Sequence, residues 1–266
     1  MNKFPLCVVI YLTNYCYLKC NHCFLKQLGM LNTEYLDVKI VKRLLKELKD
    51  NNVFLIAYTG GDPMMHPNIF EILKTTKDLG MLPLLGISGE NITNTNAKEI
   101  SNSGVKCVQI GLNGSNSKIN DSYRKIGNFE NVCESIKKLQ SNNINVNLSF
   151  CLDKNNYYNL TSMLNFAKKN NIYKVKIEYW KCLNESNENE LNSSEMIECE
   201  KVCMDYMQLN NKPDWIQYPK RSTNLNKIRN KAVIIMPNGD VKRNEIDLPM
   251  GNIKNEKLKE ILMRGD

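Results

Sequence analysis

The chain has 266 residues, a formal net charge of +8 and ten cysteines, a length that allows one large α/β domain or one domain with a small appendage. It has no apolar run near the roughly 20 residues that span a bilayer, and its start lacks the apolar core of a secretory signal, so we expect a cytoplasmic protein without a membrane partner. The lysines are dispersed as on an ordinary solvated surface, so we expect no nucleic-acid partner, and the cysteines are expected to stay reduced or to bind metal.

Six short runs of apolar and β-branched residues alternate with segments of helical periodicity. This alternation is typical of βα units and of a parallel sheet, and therefore predicts an α/β fold. Right-handed crossovers are expected to curl six such units into a partial (β/α)6 barrel, related to the eight-unit TIM barrel, with the functional site at the carboxyl ends of the strands. The predicted strands are Val8 to Thr13, Val53 to Thr59, Leu82 to Ser88, Val105 to Leu112, Ile144 to Leu152 and Tyr173 to Trp180.

The strand pattern changes after the sixth run, which predicts a core barrel of residues 1–183 and a small α+β appendage of residues 184–266. The appendage contains an acidic and a basic stretch, interpreted as a polar linker and an exposed loop. Its predicted elements are a helix from Ser193 to Asn210, a hairpin of Ala232 to Met236 with Val241 to Arg243, and a helix from Glu256 to Met263. The acidic residues are Glu185, Glu188, Glu190, Glu195, Glu198 and Glu200, and the basic ones are Lys220, Arg221, Lys227, Arg229 and Lys231.

Three cysteines, Cys16, Cys20 and Cys23, follow the first predicted strand with three and then two residues between them. Three thiolates in one compact loop can converge on one metal centre. On a four-iron cluster they leave one iron open for a small chelating ligand, unlike a closed electron-transfer cluster with four cysteines. The alternatives are unliganded thiols or a zinc site, in which His22 could not readily join the adjacent Cys23 without strain.

The spacing of these cysteines after the first strand of a βα series resembles the motif of the radical S-adenosylmethionine superfamily. The resemblance implies a 4Fe–4S cluster and S-adenosylmethionine, which is cleaved reductively to a 5′-deoxyadenosyl radical that abstracts hydrogen from a substrate. It also implies a flavodoxin- or ferredoxin-like electron donor. The residue before the third cysteine usually lies against the adenine in this family, which assigns His22 to cofactor binding.

Motifs at later strand ends resemble cofactor-binding segments of the same family. Gly60-Gly61-Asp62-Pro63 resembles a Gly-Gly-Glu-Pro segment that binds the methionine amino group. Ser88 and Asn113 lie in turns that resemble the family's Thr-Asn-Gly and Ser-Leu-Asp-Gly turns, although Gly111 replaces the hydroxyl residue of the second. Arg124 matches an arginine that often pairs with the methionine carboxylate, although a single arginine is also typical of a surface.

Strand parity predicts which side chains face the barrel interior, because successive residues of a strand point to opposite faces. The predicted interior residues are Cys107 and Gln109 on the fourth strand, Asn147, Ser149 and Cys151 on the fifth, and Lys176 and Glu178 on the sixth. So polar an interior suits a hydrogen-bonding substrate. Cys151, near a strand end, is a candidate hydrogen-atom donor to a substrate radical, although a buried free cysteine is more often a packing residue.

The C-terminal hairpin resembles the SPASM or twitch region of peptide-modifying radical enzymes, in which a cysteine follows the hairpin and ligates an auxiliary cluster. Here the following residues are Lys242-Arg243-Asn244, so the region is degenerate and lacks that cysteine. Cys182, Cys199 and Cys203 remain as possible ligands without a matching pattern. We therefore expect a single cluster.

Three hypotheses for the function remain open. The first is an enzyme that modifies a ribosomally synthesised peptide by epimerisation or crosslinking, because of the degenerate hairpin and because the basic stretch could hold an acidic peptide. The second is an enzyme of small-molecule or cofactor biosynthesis acting on a nucleoside, sugar or amino acid, which the polar barrel would serve equally well. The third is a non-enzymatic, zinc- or cluster-binding interaction module.

Overall fold

The computed structural model describes residues 4–183, 188–219 and 233–264. Strands within these segments form one sheet in the order β10-β9-β8-β1-β2-β3-β4-β5-β6-β7. Neighbours from β8 through β1 to β7 are parallel, whereas β9 is antiparallel to both β8 and β10. The strands are β1 Cys7–Thr13, β2 Leu55–Gly60, β3 Leu82–Ile87, β4 Cys107–Gly111, β5 Asn145–Leu152, β6 Lys174–Tyr179, β7 Ile216–Gln217, β8 Ile234–Ile235, β9 Asp240–Lys242 and β10 Gly251–Asn252.

Helices lie between successive strands from β1 to β7, as the crossover connections of a parallel sheet require. The parallel sheet and the βα alternation confirm the predicted α/β class. The six predicted core strands agree with the observed β1–β6 to within two residues at each end. The helices are α1 Phe24–Gln27, α2 Val38–Asp50, α3 Ile69–Asp78, α4 Asn94–Asn102, α5 Ser117–Tyr123, α6 Asn128–Ser141, α7 Leu160–Lys169, α8 Ser193–Leu209 and α9 Leu258–Arg264.

The hydrophobic core lies between the sheet and its surrounding helices. In β1 the side chains of Val8, Ile10 and Leu12 are fully buried, while Cys7, Val9 and Tyr11 on the other face are only partly buried. Helix α2 buries one apolar stripe against this face, including Leu44 and Leu48. Burial of one strand face against helices leaves the other face free to line the barrel interior.

The C-terminal extension continues the sheet on both of its sides. Strand β8 pairs with β1, with Val9 opposite Ile234, and β7 pairs with β6, with Val175 opposite Ile216. The sequence predicts no strand between the helix from Ser193 to Asn210 and the hairpin, which is wrong for β7, because a two-residue strand carries too little pattern to be recognised. The predicted hairpin and the two predicted helices correspond to β8 with β9, α8 and α9.

Some sequence predictions fall outside the described residues. The basic stretch from Lys220 to Lys231 lies within residues 220–232, and Glu185 lies within residues 184–187, next to the predicted domain boundary. The division at residue 183 stays a prediction. Among the residues that the structure describes, no helix has the length and apolar character needed to cross a membrane.

The stability of the barrel is expected to depend on Phe150, whose side chain on β5 is fully buried in the core. Replacing Phe150 by alanine should lower the free energy of unfolding by about 3–5 kcal/mol, because the truncation loses apolar burial and leaves a cavity. Phe54→Ala is the control: this side chain is 57% exposed and its loss should change stability by less than about 1 kcal/mol. Urea unfolding of both variants measures the difference, and equal losses would contradict this account of the core.

Candidate active site

The cysteine loop lies at the carboxyl end of β1, directly above the sheet. The thiols of Cys16, Cys20 and Cys23 line one cavity of about 340 Å³. Cys23 precedes α1 and donates its N–H to the Cys20 carbonyl at 3.2 Å, which closes the loop locally. Asn21 donates its N–H to the carbonyl of Tyr123 at 3.0 Å and so ties the loop to the end of α5. The structure thus brings together the three cysteines that the sequence singled out.

The glycine turn after β2 packs against the backbone that leads into the cysteine loop. The N–H of Gly61 donates to Thr13 O at 2.7 Å, and that of Asp62 donates to Tyr15 O at 2.8 Å. A Cβ on Gly60 would lie 2.2 Å from Thr13 O, and one on Gly61 would lie 2.3 Å from Tyr15 O. Gly60 also has φ +136°, which side chains rarely tolerate. Both glycines line the cavity. A side chain is excluded at these two positions because the backbone of Thr13 and Tyr15 lies so close to them.

Asp62 joins the ends of β2 and β3. Its side chain is 3% exposed and accepts hydrogen bonds from the N–H of Met64, the N–H of Ser88 and the hydroxyl of Ser88. Burial raises the pKa of Asp62, and the hydrogen bonds from Ser88 and Met64 act in the opposite direction. Ser88 lines the cavity, whereas Asp62 and Pro63 are not among its lining residues. A cofactor contact by Asp62 or Pro63 stays a prediction; the observed role of Asp62 is to hold Ser88 in place.

Arg124 reaches the cavity through the space left by Gly111. A Cβ on Gly111 would lie 2.3 Å from Nη2 of Arg124, so the missing hydroxyl residue of the family motif makes room for the guanidinium. Arg124 donates from Nε to Oδ1 of Asn113 at 2.8 Å and lines the cavity. Asn113 is fully buried and is not a lining residue. The predicted cofactor contact of Asn113 therefore stays a prediction, while its observed contact orients Arg124.

His22 stands where the cysteine loop meets the barrel interior and borders the cavity. Its ring lies 5.9 Å from that of Tyr123, and its buried Nδ1 has no hydrogen-bond partner among the described residues. Burial lowers the pKa of His22 to about 3, and the nearby positive charge of Arg124 lowers it further. The imidazole is therefore neutral near pH 7 and presents an uncharged ring to a ligand.

The interior face of the sheet is polar, as parity predicted for several residues. Gln109, Ser149, Cys151 and Glu178 line the cavity beneath the cysteine loop. Ser149 donates its hydroxyl to Oε2 of Glu178 at 3.1 Å, and Lys176 forms an ion pair with Oε1 of Glu178 at 2.6 Å. Burial raises the pKa of the Cys151 thiol to about 12, which keeps its S–H proton in place.

A second cavity of about 680 Å³ adjoins the first and shares part of its wall. The extension supplies one side of it, and Tyr11 donates its hydroxyl to Glu245 Oε1 at 2.7 Å, which links β1 to the loop after β9. The residues common to both cavities are Tyr11, His22, Phe24, Cys151 and Glu178. The loop after β9, where the twitch-like family members have a cysteine, here contributes Arg243, Asn244, Glu245 and Ile246.

Sequence reasoning missed Tyr11 and the loop of residues 243–246 as cavity residues. Parity on β1 could have found Tyr11, since it alternates with the buried Ile10 and Leu12. Nothing local indicates residues 243–246, because their position results from pairing of β8 with β1. Cys199 and Cys203, considered as cluster ligands, are buried in the hydrophobic core on α8.

The donor set of the cysteine cavity fits an iron–sulfur cluster, because three cysteines in one short loop line it and such clusters are held by cysteine thiolates. Burial raises the pKa of the Cys16 thiol to about 12 and also raises that of Cys20, on which Arg124 has the opposite effect. Buried thiols of this kind become thiolates when they bind a metal centre.

A parallel barrel sheet with a three-cysteine loop at the carboxyl ends of its strands is typical of a class of cluster-binding proteins. The family model of the Radical SAM superfamily matches residues 10–167, more than half of the chain. The chain belongs to this superfamily, whose members use a 4Fe–4S cluster and S-adenosylmethionine.

Similar proteins include a bacteriocin biosynthesis protein and a heme synthase. The chain is 31% identical over 176 residues to the antilisterial bacteriocin subtilosin biosynthesis protein AlbA of Bacillus subtilis, covering 61% of this chain and 37% of AlbA. It is 27% identical over 145 residues to an AdoMet-dependent heme synthase of Oleidesulfovibrio alaskensis, covering 54% of this chain and 37% of that protein. The chain thus spans much less than two thirds of either relative.

The fold is similar to that of Streptococcus suis SuiB, solved with bound S-adenosylmethionine, with a TM-score of 0.82 and 17% identity. The match covers 97% of this chain and 65% of SuiB. It confirms the predicted partial barrel.

The close backbone approach at Gly60 predicts a specific sensitivity to substitution. Gly60→Ala should lower the free energy of unfolding by at least about 2 kcal/mol more than Gly29→Ala. Both glycines have positive φ, but a Cβ on Gly29 meets nothing within 4 Å, whereas one on Gly60 meets Thr13 O. Chemical denaturation of the two variants measures the contrast; equal losses would mean that neither the φ of +136° nor the contact with Thr13 O makes Gly60 necessary.

Proposed function

We propose that the protein cleaves S-adenosylmethionine reductively at one 4Fe–4S cluster and uses the resulting radical to abstract hydrogen from a ribosomally synthesised peptide, which it epimerises or crosslinks. The observation that carries this proposal is the pair of joined cavities. The smaller contains the three cysteines and Arg124. The larger opens from it and has room for part of a peptide, since ligand sites commonly have volumes of about 300–1,000 Å³.

The residues of the smaller cavity have distinct roles in this proposal. Cys16, Cys20 and Cys23 would hold the cluster. The guanidinium of Arg124 would bind the carboxylate of S-adenosylmethionine, a charge-assisted contact for which its fork is suited. When bound, the cluster supplies the electron that cleaves S-adenosylmethionine. Neutral His22 would lie against the adenine without adding charge to a site that holds a sulfonium cation.

The larger cavity supports the choice of a peptide. Its wall combines aromatic groups, such as Trp180, with hydrogen-bonding groups and charges of both signs, including Lys181 and Glu178. A mixed lining of this kind suits backbone amides and varied side chains. Two similar proteins support the same substrate class: AlbA, a biosynthesis protein of the bacteriocin subtilosin, and SuiB, which has been solved with its precursor peptide SuiA. An external electron donor resembling flavodoxin or ferredoxin belongs to the proposal, because the chain needs a source of electrons for the cluster.

A small-molecule substrate is the second candidate. The similarity to heme synthases and to an Fe-coproporphyrin III synthase of Methanosarcina barkeri favours it, and the polar interior face would serve it too. Mass spectrometry of candidate substrates separates the two candidates. A precursor peptide encoded beside the gene should lose two mass units on crosslinking or gain deuterium from D₂O on epimerisation, whereas an unchanged peptide would favour the small molecule.

The cysteine triplet is expected to be necessary for cleavage of S-adenosylmethionine. After anaerobic reconstitution with iron and sulfide and reduction with dithionite, the wild type should form 5′-deoxyadenosine. Cys16→Ala, Cys20→Ala and Cys23→Ala should each abolish it, because each removes one ligand of the cluster. Cys133→Ala, which changes a cysteine on α6 outside both cavities, is the control and should behave as wild type. Absence of both cluster and product in folded wild type would leave a zinc-binding or other binding role instead.

Cys151 is proposed to return a hydrogen atom to the substrate radical if the reaction is an epimerisation, since it lies on the wall shared by the two cavities. The thiyl radical left on sulfur would then be reduced by the electron donor and a proton. In D₂O the wild-type product should gain one deuterium, whereas Cys151→Ser should still form 5′-deoxyadenosine but lose that deuterium. Cys107→Ser, on the neighbouring strand and outside both cavities, is the control. Equal deuterium in the product of Cys151→Ser would rule out this role.

A further inference from the structure

We propose that Glu90, Asn128, Asn120 and Asn113 form one buried hydrogen-bonded chain that fixes the guanidinium of Arg124 at the cofactor cavity. The inference rests on the proposed function, because it takes Arg124 as the group that binds the carboxylate of S-adenosylmethionine. None of the four residues lines the cavity. They are therefore positioning residues that act through Arg124.

The chain begins at Arg124, whose Nε donates to Asn113 Oδ1 at 2.8 Å. The amide orientation of Asn113 is fixed by its neighbours. Its Nδ2 donates to the carbonyl of Cys151 at 3.1 Å, and a carbonyl can only accept, so Oδ1 must face the arginine. The carbonyl of Asn113 also accepts from Nδ2 of Asn156 at 3.1 Å. The partner of Arg124 is thus held by contacts to the end of β5 and to the turn that follows it.

The next links run through two fully buried asparagines. The N–H of Asn113 donates to Asn120 Oδ1 at 3.0 Å, and Nδ2 of Asn120 donates to Asn128 Oδ1 at 2.9 Å. Asn128 then donates from Nδ2 to Glu90 Oε1 at 2.5 Å. Asn113, Asn120 and Asn128 are each 0% exposed, and Glu90 is 6% exposed. Water therefore does not compete for these contacts, and each one that is broken leaves a buried polar group unsatisfied.

Every link of the chain points in the same direction. The guanidinium at one end can only donate, and the carboxylate of Glu90 at the other end can only accept. Asn120 and Asn128 accept and donate through the same side-chain amide, so the bonds that meet there polarise one another. Asn113 accepts through its side chain and donates through its backbone N–H. A positive and a negative group are thereby connected across the ends of β3 and β4 and the start of α6, although they are never in direct contact.

The same network extends to the glycine turn. The N–H of Glu90 donates to the Ser88 hydroxyl at 3.1 Å, and that hydroxyl donates to Asp62, which follows Gly61. The two segments proposed to hold the methionine part of S-adenosylmethionine, the glycine turn and Arg124, are therefore joined by one continuous series of hydrogen bonds. The series passes through side chains and through the backbone N–H groups of Asn113 and Glu90. Such a connection would keep the glycine turn and Arg124 at a fixed separation before the ligand binds, which reduces the entropy lost on binding.

The test is to break the chain at one atom and then restore it. Asn128→Asp keeps the shape of the side chain but removes the donor that faces Glu90. S-adenosylmethionine should bind about tenfold more weakly to the reconstituted variant, the change expected for one charge-assisted hydrogen bond, measured by calorimetric titration. The KM for S-adenosylmethionine should rise while kcat changes little. In the double variant Glu90→Gln with Asn128→Asp, the new amide donates to the new carboxylate, so affinity should return to within about twofold of wild type.

Asn131→Asp is the matched control. Asn131 also donates to Glu90, at 3.1 Å, but it lies outside the chain to Arg124, so this variant should bind S-adenosylmethionine as wild type does. If Asn131→Asp weakens binding as much as Asn128→Asp, or if the double variant stays weak, local charge explains the effect and the proposal fails. Should Asn128→Asp not fold, as judged by its melting temperature without cofactor, Glu90→Gln takes its place. Its single amide oxygen cannot accept from both Asn128 and Asn131, and the remaining NH2 faces a donor. In the double variant that NH2 donates to the new carboxylate at position 128.

Arg124→Gln separates this inference from the proposed function. If Arg124→Gln binds S-adenosylmethionine as tightly as wild type, the proposed role of Arg124 is wrong. If Arg124→Gln binds weakly while Asn128→Asp and Glu90→Gln bind normally, Arg124 keeps its role and the positioning chain is wrong.

Discussion

The close contact between the turn after β2 and the backbone after β1 determines where the rest of the site can form. Gly60 and Gly61 lie against the carbonyls of Thr13 and Tyr15 at distances that leave no room for a Cβ. Two hydrogen bonds, from Gly61 and Asp62, join the same segments. Because the cysteine loop begins at the end of this contact, its position over the sheet follows from the way two neighbouring parallel strands end. Any side chain at these glycines would push the loop away from the barrel.

The polar groups at this edge form a connected framework, while few of them remain free to contact a ligand. Asp62 uses its carboxylate to hold Ser88, and Asn113 uses its amide to hold Arg124. Buried groups that satisfy one another in this way are costly to rearrange, since each lost hydrogen bond leaves an unsatisfied partner. The ligand-facing groups are consequently fixed in advance, as a site needs when it must bind a reactive cofactor in one geometry.

The extension widens the sheet and supplies part of the wall of the larger cavity, because it pairs with the barrel. Strand β8 adds to β1 at one side of the sheet, and the loop after β9 thereby reaches the wall of the larger cavity. The hydrogen bond from Tyr11 to Glu245 fastens this loop at the boundary between the two cavities. Ordinary side chains, Arg243 to Ile246, occupy the segment where the twitch-like members of the family have a cluster cysteine. The loop therefore helps to set the size and chemistry of the larger cavity.

The sequence by itself determined the βα alternation, the bounds of β1–β6, the cysteine triplet and the polar face of β5. All of these depend on periodicity or spacing within a few residues. Short-range patterns of this kind can be recognised without knowing which distant residues they contact. Only the tertiary structure decided why Gly111 is a glycine, that Asn113 holds Arg124, that β7 exists and that residues 243–246 line a cavity. These features are contacts between distant parts of the chain, such as Tyr11 and Glu245, 234 positions apart. The type of a residue does not indicate which distant residue the packing of the sheet places beside it.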